Sequence, residues 1–71
     1  MSPTEMILRY FEYGHLPQHL QEVSTPFCML AQQVAKWGSG PETTTALRKL
    51  LEAKDCAVRA RLHEAATLTQ S

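Results

Sequence analysis

Apolar residues recur through the middle of this chain at alternating steps of four and three: Leu16, Leu20, Val23, Phe27, Leu30, Val34 and Trp37. That unbroken heptad seam predicts a helix over about residues 17–37. Pro26 falls inside it. A proline there deletes the hydrogen bond to the Glu22 carbonyl and crowds it. The expectation is a kink or break around Ser24-Thr25, or a fresh helix capped by Ser24 and starting near Pro26. In either case the backbone polar groups from Glu22 to Thr25 are open to water or a ligand.

Two further helices flank this one. Ser2-Pro3-Thr4-Glu5 reads as a helix start, with a serine cap, proline at the first helical position and glutamate placed to close a capping box. The helix then runs through Met6, Ile7, Leu8 and Tyr10 over about residues 3–13, where Gly14 ends it. So short a helix must pack on something. Gly38-Ser39-Gly40 closes the middle helix, and Ser39 with Glu42 predicts a capping box around Pro41. The last helix extends over about residues 41–65 on a stripe of Leu47, Leu50, Leu51, Val58 and Leu62, with Ala46, Ala57 and Ala65. Ala66 to Ser71 has no pattern and is expected to fray. The predicted fold is all-α: one domain over residues 1–71, a short first helix and a long antiparallel hairpin.

Seventy-one residues lie near the size at which one chain struggles to bury enough apolar surface alone. Association into a homo-oligomer is the expected remedy. Cys28 and Cys56 fall on predicted helices among apolar neighbours with no secretory signal ahead of them, and read as reduced, buried thiols of a cytosolic protein. Zero formal net charge argues against a DNA or RNA binder. No run approaches the ~18 apolar residues that a membrane span needs.

Candidate chemistry is sparse. Five of the seven basic residues are Arg48, Lys49, Lys54, Arg59 and Arg61. Arg48 with Glu52, and Asp55 with Arg59, have the spacing of ion pairs on a solvated helix face. Lys54 lies instead on the line of Leu47, Leu51 and Val58, where it needs a carboxylate, an anionic ligand or a route to water. His15, His19 and Glu22 have spacings that zinc uses on one helix face, but Gly14 and Pro17 interrupt the helix, so no metal or other cofactor is expected. No glycine elbow, paired-acid signature or phosphate loop is present, so an enzyme is not expected. Three of the chain's five aromatic residues lie in Tyr10-Phe11-Glu12-Tyr13-Gly14-His15-Leu16-Pro17. Rings beside a backbone break can fill a small core or offer a platform on which a base stacks.

Phe11-Glu12-Tyr13-Gly14-His15-Leu16-Pro17, His19-Leu20-Gln21-Glu22-Val23-Ser24 with Pro26-Phe27, and Ala46-Leu47-Arg48-Lys49-Leu50-Leu51-Glu52-Ala53-Lys54-Asp55 with Ala57-Val58-Arg59-Ala60 resemble the small phage proteins that counter bacterial CBASS immunity. These are cyclic-oligonucleotide sponges, whose helical hairpin also occurs in an anti-Thoeris sponge, and the resemblance covers roughly residues 7–62. It implies a homohexamer in the cytoplasm of the infected host. Such a protein sequesters cyclic dinucleotides between protomers, and in some members cyclic trinucleotides at a separate site, without cleaving them. By motif, the tyrosine that stacks on a base corresponds to Tyr13. Relatives often carry lysine or arginine where this chain has Thr25, whose hydroxyl can bond a phosphate but brings no charge. Arg59 and Arg61 are the candidates for a basic trinucleotide site. The rival expectation is a helical interaction module that assembles through its heptad seam and binds a protein partner.

Overall fold

The computed structural model describes residues 3–70, with side chains through residue 64. All of its regular elements are helical: α1 (Pro3–Leu8), a 3₁₀ turn (Arg9–Phe11), α2 (Gln18–Trp37) and α3 (Pro41–Gln70). α2 and α3 form the principal packed pair, and α1 lies chiefly against α3. The Glu22–Arg61 ion pair (3.8 Å) sets the start of α2 beside the later part of α3, so the pair is antiparallel. The predicted serine cap at Ser2 lies outside the described residues.

The first helix is shorter than its sequence pattern predicts. It tightens at Arg9 and stops at Phe11, because Glu12 turns extended (φ −61°, ψ 139°). Phe11, 1% exposed, is drawn into the core beside Ile7, which fixes the last turn. The chain then closes a separate turn, with the Leu16 amide donating to the Tyr13 carbonyl at 3.0 Å. Gly14 therefore sits within that turn and does not end the helix.

α2 departs from expectation in two ways. It is one continuous helix through Pro26, with neither a break nor a new cap at Ser24. Pro26 and Glu22 lie on the exposed side, so the carbonyl that proline leaves unbonded can be met by water. The side that α2 buries is also different. It is the stripe Leu20, Ser24, Cys28 and Ala31, largely small residues, which shares only Leu20 with the heptad seam. Small side chains let α3 approach closely, and Leu47, fully buried, fills the space opposite. Phe27 and Val34 only flank this core, while Leu30 (46%) and Trp37 (71%) remain exposed.

The α2–α3 connection also differs in detail. α3 begins at Pro41, so Gly40 occupies the capping position, its carbonyl accepting from the Thr44 amide (3.1 Å) and hydroxyl (3.4 Å). The Ser39–Glu42 box is thus one residue out of register. Gly38 is fully extended, and a β-carbon there would lie 2.9 Å from Thr43 Oγ1, so any side chain at this position would require Thr43 to shift. α3 continues as helix to Gln70 rather than ending near residue 65. At ~1.5 Å per residue its 30 residues account for the molecule's 47 Å long axis.

Both cysteines are free, but only Cys28 is buried. Cys56 is exposed, contrary to expectation, because it is nine residues from Leu47, about 900° of helical rotation, and so on the opposite side of α3. No helix among the described residues is long and apolar enough to cross a membrane.

Candidate functional site

Four residues carry the sequence-based site, and the fold places each differently. Tyr13 is half-buried and packs against the core cluster, so much of its ring is already covered. Thr25 donates its hydroxyl to the Gln21 carbonyl at 2.7 Å, one turn back in the same helix. In that geometry its oxygen offers lone pairs only, whereas a phosphate needs donors. Arg59 is exposed and contacts Cys56 Sγ at 3.4 Å. Arg61 pairs with Glu22 and lines an open groove with Val23, Ala57 and Ala60. Two positions apart on a helix are ~200° apart around its axis. Arg59 and Arg61 therefore do not converge within one protomer.

Within the aromatic stretch, the exposed ring is Tyr10, at 66%. The distinction follows from helix geometry. Ile7 and Phe11, four apart, face the core, and the neighbouring line of Met6 and Tyr10 is rotated by ~100° toward solvent. Met6 is 54% exposed. Those two side chains, with Pro3, Ile7, Arg48 and Leu51, line a groove of about 300 Å3 between α1 and α3. The sequence held a usable signal for this: once Ile7 and Phe11 are assigned inward, Tyr10 must face outward.

Lys54 secures the same segment. Its Nζ donates to the Tyr10 carbonyl at 2.9 Å, lies 3.3 Å from Asp55 Oδ1 and stands 6.0 Å from the centre of the Phe11 ring. Its side chain is 13% exposed. A lysine on the buried stripe has thus found a carboxylate, a carbonyl dipole and an aromatic face, and it holds the backbone from which the Tyr10 ring projects.

The surface ion pairs differ from those the spacing suggests. Glu52 is bonded to Lys49 at 3.7 Å, leaving Arg48 without it, and Asp55 faces Lys54 instead of Arg59. His15 and His19 are exposed, and among the described residues no three His, Cys, Asp or Glu side chains cluster as a metal site. The Cys28 thiol is raised above its ordinary value by burial first and by the negative charge of Glu12 second, which keeps it protonated and unreactive. Comparison with protein-family models, with curated proteins and with solved structures finds no match to this chain.

Proposed function

We propose that this protein is a homo-oligomeric sponge that binds cyclic oligonucleotide second messengers and withholds them, uncleaved, from CBASS effectors in the infected bacterial cytoplasm. The observation that carries the reading is the exposed Tyr10 ring on an apolar groove, beside a stretch whose sequence resembles the sponge family. A base stacked on such a ring gains ~1–3 kcal/mol with little demand for sequence readout. In this reading Tyr10, and not the partly covered Tyr13, is the platform. A trinucleotide site that used both Arg59 and Arg61 has to be built from more than one protomer.

Two features support assembly. The chain exposes 5152 Å2, against about 4,450 Å2 expected for a compact monomer of 8.0 kDa. Leu30 and Trp37, one heptad apart, stay exposed on the side of α2 that α3 does not cover. The same two residues favour a second reading, an interaction module that docks a protein partner through that stripe.

Titration of the purified protein with a panel of cyclic di- and trinucleotides, following thermal unfolding, separates the two. Ligand at ~100 times its dissociation constant adds ~2.7 kcal/mol, a rise of about 10–20 °C for a domain of this size. Recovery of intact ligand after denaturation is the expected companion result. A panel that produces no shift removes the sponge reading, and linear products in proportion to protein would replace it with a phosphodiesterase.

A further inference from the structure

Arg48 stands on the same groove as Tyr10 and, among the described residues, has no ionic partner. It is exposed in the second turn of α3, its expected partner Glu52 is held by Lys49, and among the described residues its guanidinium forms neither an ion pair nor a ring contact. The groove is apolar around Met6, Ile7 and Leu51. Beyond Pro3 and Arg48 it opens into a second groove lined by Gly40, Thr44 and Thr45. An exposed ring, an apolar floor and a free guanidinium at the edge form a gradient from flat and apolar to cationic.

A nucleotide has the matching gradient, from base to phosphate. Guanidinium is planar and presents paired N–H donors that fit two phosphate oxygens at once. The groove volume, about 300 Å3, is at the bottom of the range that holds a small ligand. It suits one base with its sugar-phosphate and not a whole cyclic dinucleotide.

We propose that this groove takes one nucleotide unit of a cyclic dinucleotide, with the base against the Tyr10 ring and the phosphate on the Arg48 guanidinium. The inference rests on the sponge reading and adds to it the source of positive charge. Arg48, on α3, supplies the cation that Thr25 lacks. The second nucleotide unit then projects from the groove, where another protomer is needed to cover it.

The test is calorimetric titration of the intact protein with 3′,3′-cyclic di-adenylate, comparing wild type with Arg48→Gln, Arg48→Lys and, as a charge-matched control away from the groove, Lys36→Gln on α2. Arg48 is exposed, so its substitution leaves the fold intact, which circular dichroism verifies. Arg48→Gln is expected to weaken binding roughly 10- to 100-fold, the loss of a charge-assisted hydrogen-bond pair. It should also flatten the dependence of affinity on salt. Arg48→Lys should fall between the two, since it keeps the charge but not the fork, and Lys36→Gln should bind as wild type does. Wild-type binding with an unchanged Arg48→Gln affinity and salt dependence would overturn this inference and leave the sponge reading standing. A wild-type protein that binds no member of the cyclic panel would remove both.

Discussion

Ser24 is predicted to be a residue the protein is more stable without. It is 1% exposed, and its Oγ has no hydrogen-bond partner among the described residues. The usual acceptors for a mid-helix serine are carbonyls three or four residues back. The one three back, on Gln21, already receives the Thr25 hydroxyl at 2.7 Å. A buried hydroxyl without a partner costs ~1–3 kcal/mol, and alanine in a helix gains about another 0.5 kcal/mol over serine. Against this, deleting one atom opens a void no larger than a methyl group, worth at most ~1 kcal/mol. Ser24→Ala is therefore expected to stabilise the protein by about 1 kcal/mol, raising the melting temperature by ~4–8 °C. Urea unfolding at a fixed protein concentration measures it, with the midpoint rising and the slope unchanged. A loss of 1 kcal/mol or more would refute the reasoning, because it would mean that the hydroxyl is bonded.

Leu30→Asp sets a charge on the exposed stripe of α2, and light scattering should show it shifting the protein toward the ~8 kDa monomer, a size class that is marginal alone. A wild type that is itself a folded monomer at micromolar concentration would contradict the assembly argument. One thiol, Cys56, should react quickly with a thiol reagent under native conditions, and the second, Cys28, only on unfolding; rapid labelling of both in the native protein would contradict the burial of Cys28. The raised Cys28 value means the folded state holds that proton more tightly than the unfolded state does. Its contribution to stability is complete below the ordinary thiol value of 9.0 and is lost as pH rises through the folded value, so Cys28→Ala should flatten the alkaline decline in stability. Lys54→Met should cost about 1–2 kcal/mol by removing the charge-assisted bond to the Tyr10 carbonyl, with hydrogen exchange quickening first in the segment around Tyr10 to Tyr13.

The helices were legible in the sequence because Gly, Pro and capping residues punctuate them strongly, and their long periodic runs leave no strand alternative. Which side of α2 turns inward was not. The seam through Val23, Phe27, Leu30 and Val34 and the stripe through Ser24, Cys28 and Ala31 are largely one position apart, about 100° of rotation. Hydrophobicity alone favours the bulkier line. Close approach of a second helix favours the smaller one, and that is a property of the pair and not of α2. The same limit applies to the site. The aromatic stretch is plain in the sequence, but which of its rings is exposed depends on Phe11 being drawn inward. The freedom of Arg48 depends on Glu52 choosing Lys49, since both cations are within reach of one carboxylate on the helix surface.

The Lys54–Tyr10 bond joins residues 44 apart in sequence, and this sets an order of events. α2 and α3 are neighbours in the chain and can pair as soon as they form. The six-residue α1 is too short to persist in water and has little to dock on until α3 is in place. Tyr10 and Arg48 are thus brought together by the docking of α1, the same step that carries Ile7 and Phe11 into the core. Whatever fraction of molecules has α1 docked divides into the intrinsic dissociation constant, so a chain docked one-tenth of the time would bind about ten-fold more weakly with every ligand contact unchanged. Ligand, in turn, would draw α1 down onto α3 and protect it. In the proposed reading, affinity for the ligand is then adjustable at Lys54, a side chain that in this geometry need never touch it.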